Sequence, residues 1–349
     1  MPWRDWLTRQ WSHPTLAGSL LLRPPAWAYG ALVVARQALY DSGLRKGSRL
    51  PVPMIVVGNL VVGGAGKTPA VIALVDWLCA AGWRPGVVSR GYGRQSGTVQ
   101  VLTLHDSAES VGDEPLLILR RSGAPVAVGA DRVAAAQALL SARPELNILV
   151  ADDGLQHLRL ARDVEVIVVD SRGAGNGHCL PAGPLRAPLP TQPPPQSLLL
   201  YSHGAASLAW SGHIGTRQLA GVLPWADWWS GAPPARDSWA SLRGRPVVAA
   251  AGLARPDAFF DMLRVQGLHV LPCPLPDHHD FATLPWPADS TDVVVTEKDA
   301  VKLSPECFGA SRVWVAPLDF QLPESFCQAL AQRLPELPPT LPPTLPTSP

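Results

Sequence analysis

The turn between residues 61 and 68 carries the residue types of a phosphate-binding loop. An apolar run precedes it, and the stretch KTPAVIALVDWLCA after it has the spacing of a helix. In such a loop, backbone N–H groups at the helix N-terminus cradle phosphates, Lys67 contacts the β and γ oxygens, and Thr68 ligates magnesium. The usual pattern GxxxxGK[ST] begins with a glycine, which Val61 replaces here. We still favour nucleoside-triphosphate binding over a purely structural turn. The predicted nucleotide-binding residues are Gly63, Gly64, Ala65, Gly66, Lys67 and Thr68.

A pair of acidic residues ends a second apolar run, in the stretch NILVADDGLQH. Asp152 and Asp153 stand where a buried strand is expected to finish. P-loop enzymes hold magnesium at the carboxyl end of such a strand, so Asp152 is expected to share the ion with Thr68. The alternative interpretation is a solvated turn that carries two acids.

Another acidic pair, Asp113-Glu114, lies between a turn glycine and a proline in SVGDEPLLIL. In isolation it indicates only the first turn of a helix, where acidic side chains are favourable. An enzyme that phosphorylates a hydroxyl also needs a carboxylate beside that hydroxyl. Asp113 is therefore a candidate general base.

Weaker signals come from histidines and arginines. The run DHHD at residues 277–280 has adjacent histidines outside the usual spacings of zinc ligands, so a histidine brought over the site by domain closure is favoured over a metal site. Arg90, Arg94 and Arg186 lie in the glycine-rich loops VVSRGYGR and LPAGPLRAP. Their guanidinium groups suit phosphate, although exposed arginines often contribute nothing measurable.

An alternation of strands and helices between Val52 and Asp170 must position these residues. Five apolar runs read as buried strands: MIVVGNL, PGVVSR, APVAVGA, LNILVADD and VEVIVVD. Their continuous apolarity favours an α/β fold with a P-loop NTPase-like parallel sheet and helices on both faces. A proline-rich connection at 180–196 leads to a smaller C-terminal α/β domain, with strand, turn and helix patterns in RPVVAAAGLARPDAFFDMLRVQG and TDVVVTEKDAVKL.

We therefore predict four segments. Residues 1–50 form an N-terminal helical segment that associates with membrane or substrate, and residues 51–200 form the P-loop core. The smaller domain, 201–333, closes over the site, and residues 334–349 form a disordered proline-rich tail.

Composition narrows the class of partner. With 47% hydrophobic and 16% charged residues among 349, the chain is more apolar than an average soluble protein, which hints at a nearby membrane surface. The net charge of +1 and the lack of an aromatic motif within a basic stripe argue against nucleic acid. Five scattered cysteines without a CxxC motif indicate a reducing compartment. No apolar run reaches the ~18 residues of a spanning helix.

The segment at 21–44 is a candidate interfacial helix. Pro24 and Pro25 stand where a helix can begin, and the next fifteen residues carry a single charge. Trp27, Tyr29 and Tyr40 are of the kind found at the level of lipid headgroups. A helix packed on the domain is an equally good interpretation.

Seven motifs together resemble one enzyme family. VGNLVVGGAGKTP, VVSRGYGR, GDEP, ADDGLQH, GNGHCLPAGPLR, DHHDF and VVTEKDAVKL occur in the order and spacing of the tetraacyldisaccharide 4′-kinases, the lipid A 4′-kinases of Gram-negative bacteria. The resemblance covers roughly residues 15 to 330, and in that family the phosphate loop also lacks its leading glycine.

The resemblance implies an activity, two cofactors and a location. The activity is ATP- and Mg²⁺-dependent transfer of the γ-phosphate to the 4′-hydroxyl of a tetraacylated glucosamine disaccharide 1-phosphate, giving lipid IVA. The enzyme would be peripheral, at the cytoplasmic face of the inner membrane, with the lipid as its substrate and no obligate protein partner. Two segments depart from the family pattern: the tail after residue 334, and the unusually proline-rich PLPTQPPPQ.

The resemblance also implies roles for individual residues. Asp113 resembles the family's base, supported by His278 from the second domain, and Glu114 lies near the metal. We predict catalytic roles for Asp113, His278 and Lys67, metal ligation by Thr68, Glu114 and Asp152, and substrate binding by Asp153, Arg90, Arg94 and Arg186.

Two other hypotheses remain open. A GTPase or ATPase of metallochaperone type would use the same loop to switch conformation. The run VVVTEKD superficially resembles the guanine-reading NKxD, but Lys298 and Asp299 are adjacent, which is the wrong spacing. A membrane-bound nucleotide-binding scaffold would leave Asp113 and His278 without a function.

Overall fold

The computed structural model of the chain describes residues 2–64, 66–94, 96–277 and 279–337. Ala65, His278 and residues 338–349 of the predicted tail lie outside the described residues. The helices are α1 (Pro2–Ser12), α2 (Leu16–Asp41), α3 (Lys67–Ala80), α4 (Ala108–Val111), α5 (Asp113–Ser122), α6 (Arg132–Ala142), α7 (Trp225–Trp229), α8 (Pro256–Val265), α9 (Glu297–Ala300) and α10 (Glu324–Ala331).

The strands form two main sheets and one small ribbon. They are β1 (Met54–Asn59), β2 (Pro85–Ser89), β3 (Gln100–Val101), β4 (Val126–Val128), β5 (Ile148–Asp152), β6 (Val164–Val169), β7 (Ser197–Tyr201), β8 (His213–Ile214), β9 (Thr216–Leu219), β10 (Leu223–Pro224), β11 (Pro246–Ala251), β12 (His269–Pro274), β13 (Asp292–Thr296), β14 (Arg312–Ala316) and β15 (Leu318–Gln321).

The larger sheet has the strand order β3-β4-β2-β5-β1-β6-β7-β8, and its pairs are parallel except β3 with β4. Alternate residues of β1 face opposite sides of it. Ile55 and Val57 join the buried cluster that includes α3 and α5, whereas Met54 and Val56 join the cluster that includes α6. All five strands predicted in this region are present, as β1, β2, β4, β5 and β6. The predicted α/β fold with helices on both faces is confirmed.

The smaller sheet has the order β10-β14-β13-β11-β12, with only the β10–β14 pair antiparallel. The predicted strand–turn–helix patterns appear as β11 with α8 and β13 with α9. One buried cluster joins the two sheets, because it contains both Val57 of β1 and Val295 of β13. The predicted boundary after residue 200 falls inside β7, and β8 extends the larger sheet to residue 214. The division into domains stays a prediction.

The N-terminal helix begins earlier than expected. α2 starts after its capping residue Thr15 and runs through Pro24 and Pro25, so the prediction that the prolines open the helix is wrong. Each proline leaves the carbonyl four residues before it without an intrahelical donor. Those carbonyls belong to Leu20 and Leu21, whose side chains are exposed, so water can reach this part of the helix. None of the helices in the described part of the chain is both long and apolar enough to cross a bilayer.

Candidate active site

The phosphate loop joins the end of β1 to the start of α3. Gly63 and Gly66 have φ angles of 90° and 76°, in the left-handed region that favours glycine. Val61 has no such φ angle and forms an isolated antiparallel bridge with Leu185. The first position of the loop therefore does not require the conformational freedom of glycine, and valine is accommodated there.

Lys67 is held in place beneath the loop by the ends of two neighbouring strands. Its Nζ donates a hydrogen bond to Oδ1 of Asn59 at 3.0 Å and lies 3.6 Å from Oδ1 of Asp153. Lys67 and Thr68 are both buried. The lysine is therefore oriented by the protein itself. Sequence reasoning missed Asn59, whose only signal is its place as the last residue of β1.

Asp152 ends β5 in a position suited to a cation. Its Oδ2 accepts a hydrogen bond from Oγ of Ser89 at 3.2 Å, while its buried Oδ1 has no hydrogen-bond partner among the described residues. Burial, followed by the charges of Glu114 and Asp153, raises the pKa of Asp152 to about 7, against an opposing effect of Lys67. An unsatisfied carboxylate oxygen beside a second carboxylate fits the oxygen ligands that Mg²⁺ prefers.

Within the described residues there is no group of three or more His, Cys, Asp or Glu side chains that could hold a metal ion. A magnesium site built on Asp152 and Glu114 would therefore need further oxygens. The hydroxyl of Thr68, together with the phosphates of the nucleotide, is the set that the phosphate loop offers. The residues present fit such a shared site.

Asp153 forms ion pairs with two basic side chains, those of Lys67 and Arg186. It adopts a φ of 52°, unusual for a residue other than glycine. Nη1 of Arg186 donates to its two carboxylate oxygens at 2.9 and 3.0 Å. Burial alone would raise the pKa of Asp153, but Lys67 and Arg186 outweigh burial and hold the pKa below its usual value. Tyr29 of α2 donates to the carbonyl oxygen of Arg186 at 2.9 Å, so for this residue the contact favours the second of the two interpretations, packing on the domain.

Asp113 and Glu114 open α5, as predicted from the motif GDEP. Lys298 of α9 reaches them from the smaller sheet, with Nζ 3.2 Å from Glu114 and 4.0 Å from Asp113. It also lies 3.5 Å from Asp277, the first residue of the predicted DHHD run. Burial opposes the charge on Lys298, but the carboxylates of Glu114, Asp113 and Asp277 outweigh it and raise the pKa of the lysine. Sequence reasoning assigned Lys298 no catalytic contact; its signal is its place two residues after the end of β13.

The other predicted residues divide into two groups. Arg90 and Arg94 lie in the loop after β2, at the same edge of the sheet as Asp152. His278 and Ala65 lie outside the described residues, so their assigned roles remain predictions.

Two arginines that sequence reasoning missed support the phosphate loop from outside. Arg172 binds Asp170 and donates to the carbonyl oxygens of Val62 and Gly64 at 3.1 and 3.2 Å. Arg217 of β9 lies so close to Gly66 that any side chain at residue 66 would collide with its guanidinium. A side chain at residue 66 would displace the Arg217 guanidinium, while the positive φ angles of Gly63 and Gly66 are what favour glycine at these two positions.

Comparison with known proteins identifies the family. The model of the family described as "Tetraacyldisaccharide-1-P 4'-kinase" matches residues 18–335. The chain belongs to the tetraacyldisaccharide 4′-kinase family. It is 51% identical over 332 residues to the tetraacyldisaccharide 4′-kinase of Leptothrix cholodnii, covering 94% of this chain and 93% of the relative. It is 52% identical over 334 residues to that of Methylibium petroleiphilum, with the same coverage.

The fold of the chain is also similar to that of a solved structure. The chain is similar to the crystal structure of the "apo" form of LpxK from Aquifex aeolicus in complex with ATP, with a TM-score of 0.75 and 27% identity. The likeness covers 92% of this chain and 100% of that chain. Membership of the kinase family decides against the metallochaperone and scaffold hypotheses.

Proposed function

We propose that this chain is an ATP-dependent kinase that phosphorylates the 4′-hydroxyl of a tetraacyldisaccharide 1-phosphate, giving lipid IVA. One observation carries the proposal. In a chain that matches the kinase family over residues 18–335, the phosphate loop, Asp152 and the Asp113-Glu114 pair meet at the carboxyl edge of the larger sheet. Phosphate-binding and hydroxyl-activating groups thus share one site.

The nucleotide is bound by the loop and the N-terminus of α3. Backbone N–H groups of residues 63–68 and the helix dipole favour the phosphates. Lys67, oriented by Asn59 and Asp153, supplies positive charge to the β and γ oxygens. Because these contacts are preorganised, little reorganisation is needed when the γ-phosphate transfers.

Thr68, Glu114 and Asp152 would hold Mg²⁺. When bound there, the ion would supply positive charge against the charge that develops on the phosphates. The raised pKa of Asp152 has a direct consequence for these residues: the carboxyl must lose its proton before it can serve as a ligand. Asp153, whose pKa is held low, stays ionised and keeps Lys67 and Arg186 in place.

Asp113 acts as the base for the acceptor hydroxyl, with His278 as its supporting partner. It takes the hydroxyl proton while the new O–P bond forms and the bond between the γ-phosphorus and the bridging oxygen breaks, leaving ADP. The ammonium group of Lys298 offsets the negative charge of Asp113, Glu114 and Asp277. The smaller sheet thereby contributes directly to the site.

The protein is peripheral at the cytoplasmic face of the inner membrane, where both ATP and a lipid are available. Support comes from α2, whose residues Leu16, Leu20, Trp27 and Val34 repeat at spacings of four and seven and are between 54% and 81% exposed. Such spacing places them on one helical face, suited to the interface of a bilayer.

A vesicle sedimentation assay tests the membrane proposal. The double variant Leu20→Ser with Trp27→Ser should bind anionic vesicles more weakly and raise the apparent KM for lipid more than for ATP. Val265→Ser, which changes an apolar side chain that is 83% exposed elsewhere, is the matched control. Equal binding by the double variant and this control would refute the interfacial role of α2.

The kinase proposal is tested by transfer of labelled γ-phosphate from ATP to a tetraacyldisaccharide 1-phosphate in detergent micelles. Wild type should form the bisphosphorylated lipid, and Asp113→Asn should reduce kcat by roughly 10²- to 10⁴-fold with a near-normal KM for ATP. Asp261→Asn, an exposed aspartate on α8, should behave as wild type. Hydrolysis of ATP without labelled lipid would contradict the proposal.

A further inference from the structure

Two neighbouring residues at the start of α9, Glu297 and Lys298, reach toward opposite ends of α5. Nζ of Lys298 lies 3.2 Å from Glu114 in the first turn of that helix. The two carboxylate oxygens of Glu297 each accept a hydrogen bond at 2.6 Å from Nη1 of Arg121, in its last turn. At about 1.5 Å per residue, Glu114 and Arg121 are roughly 10 Å apart along the helix axis. The start of α9 is therefore attached to α5 at two points, one inside the candidate active site and one outside it.

Glu297 is a buried carboxylate that is fixed by donors on both of its oxygens. It is 6% exposed. Besides Arg121, Nε1 of Trp228 in α7 donates to its Oε1 at 2.9 Å, and the backbone N–H of Leu318 in β15 donates to its Oε2 at 3.1 Å. A change of side-chain rotamer would leave a buried carboxylate or its donors without partners, which is unfavourable. The first residue of α9 is thus held in one position.

Arg121 is itself held by a second acid. Its Nη2 donates to Oδ1 of Asp319 in β15 at 3.2 Å. Burial opposes the charge on Arg121, but the carboxylates of Glu297 and Asp319 outweigh burial and raise the pKa of the guanidinium. Arg121 therefore remains charged, and it provides a rigid, two-sided anchor at the last turn of α5.

Lys298 depends more strongly on where its backbone is placed. Its ammonium group lies among three carboxylates, 3.2 Å from Glu114, 3.5 Å from Asp277 and 4.0 Å from Asp113. A lysine reaches its partners through a flexible four-carbon stem, and holding that stem in one geometry costs side-chain entropy. The ammonium group can stay between the acids only if the backbone from which it extends is fixed.

The remaining polar contacts of α9 fix its shape and its place in the smaller sheet. Oγ1 of Thr296 accepts from the backbone N–H of Asp299 at 3.2 Å, which caps the helix. Oδ2 of Asp299 accepts from the backbone N–H of Gly252, after β11, at 3.0 Å. Neither contact involves α5. The placement of α9 relative to α5 relies instead on the ion pair of Glu297 with Arg121.

We propose that Glu297 is a positioning residue for phosphate transfer. Its ion pair with Arg121 fixes the start of α9, and with it the backbone from which Lys298 reaches the acids of α5. This role rests on the proposed function, in which Asp113 and Glu114 serve the acceptor hydroxyl and the metal. Glu297 contacts neither acid and acts on them only through Lys298.

A purely structural ion pair makes a different prediction. Removing one partner of a buried pair leaves an uncompensated charge, so Glu297→Gln should lower stability under either interpretation. Only the positioning role requires that the effect of Glu297→Gln on kcat depend on Lys298. Coupling between the two residues therefore distinguishes the interpretations, whereas a loss of stability does not.

The test is a double-mutant cycle of Glu297→Gln and Lys298→Met, measured as transfer of labelled γ-phosphate to the tetraacyldisaccharide 1-phosphate below the melting temperature of every variant. In the wild-type background, Glu297→Gln should lower kcat about 5- to 20-fold with an unchanged KM for ATP, because the phosphate loop is untouched. In the Lys298→Met background, the same substitution should lower kcat less than about 2-fold, because the group that it positions is gone.

Arg121→Lys is the second variant, in case Glu297→Gln folds poorly. It keeps the positive charge beside Glu297 but loses the planar fork, so it should lower kcat by roughly 2- to 5-fold. That loss should also disappear in the Lys298→Met background.

The matched control is Glu165→Gln. Glu165 of β6 is another buried glutamate, and its Oε1 accepts from Nη1 of Arg162 at 2.9 Å, far from α9 in the fold. This variant should lower the melting temperature and keep the wild-type kcat.

Two results would overturn the positioning role while leaving the kinase proposal intact. One is an equal fold-loss of kcat from Glu297→Gln in the wild-type and Lys298→Met backgrounds. The other is a rise in KM for ATP as large as the fall in kcat. If wild type transfers no phosphate to the lipid, the proposed function itself fails, and the positioning role fails with it.

Discussion

The two ends of the carboxyl edge of the larger sheet differ in how the charges of their basic side chains are balanced. At the phosphate loop, Lys67 and Arg186 both form ion pairs with Asp153, so their charges are balanced within the protein even though Nε of Arg186 has no hydrogen-bond partner among the described residues. Arg94 and Arg132, which follow β2 and β4, by contrast form no ion pair with a carboxylate among the described residues and keep buried nitrogens without hydrogen-bond partners there. The first end is preorganised by protein contacts alone. The second has the arrangement expected where a ligand supplies the missing charge.

The largest expected effect on the rate of phosphate transfer comes from removing Lys67 at the phosphate loop. Lys67→Ala removes the charge that faces the β and γ oxygens and leaves Asp153 with Arg186 as its cationic partner. We expect transfer of labelled phosphate in single turnovers to slow by roughly 10³-fold or more. Lys46→Ala, at an exposed lysine, is the control and should be indistinguishable from wild type. A Lys67→Ala variant with more than a tenth of the wild-type rate would refute the assigned role.

A smaller effect is expected from Lys298 of α9, whose ammonium group connects the acids of α5 to the part of the chain that forms the smaller sheet. Lys298→Met keeps much of the apolar stem but leaves Asp113, Glu114 and Asp277 facing one another without the ammonium group. Like charges in a buried site disfavour ionisation, so Asp113 should become a poorer base at low pH. We expect kcat to fall about 10- to 100-fold and the acidic limb of its pH profile to move to higher pH.

Lys302→Met is the matched control for this variant. The side chain of Lys302, two residues after the end of α9, is also largely buried, but its partner is Asp299 rather than the acids of α5. It should lower stability without moving the pH profile. If both variants shift the profile alike, Lys298 has only a structural role.

Residues whose positions depend on the local sequence could be predicted, whereas residues whose contacts join distant parts of the chain could not. Asp152 and Lys67 were predictable because local patterns, an apolar run and the residues at its end, specify both the strand and the position of the side chain. Lys298 was not, because its contact with Glu114 joins residues far apart in the chain and depends on how α5 packs against α9. The buried state of Arg132 had no local signal either.

The prolines of α2 show the converse case, where a local rule misleads. Pro24 and Pro25 are good first residues of a helix, yet the helix begins at Leu16 and continues past them. Exposure of Leu20 and Leu21 allows water to replace the missing backbone donors. The preference of proline for the first turn of a helix therefore gave the wrong starting residue here, because the helix already begins at Leu16.

The smallest effect we predict concerns Asp152, which lies between the two ends and feels both Lys67 and Arg132. Its pKa is raised from 3.8 to about 7, chiefly by burial. The folded chain therefore holds this proton more tightly than the unfolded chain, and stability should fall as the pH rises from about 4 to about 7. Above that range the carboxylate is charged and the loss of stability is complete.

Asp152→Asn cannot ionise, so it should remove this fall. Without nucleotide and Mg²⁺, the variant should melt a few degrees above wild type at pH 8, and the difference should shrink toward pH 5. Thermal unfolding across this range measures it, with Asp261→Asn as the exposed control. MgATP should reverse the order at pH 8, because the wild-type carboxylate then gains a cation that the amide binds poorly. Parallel profiles for Asp152→Asn and wild type would show that Asp152 carries no buried charge, and its assignment as a metal ligand would lose its main support.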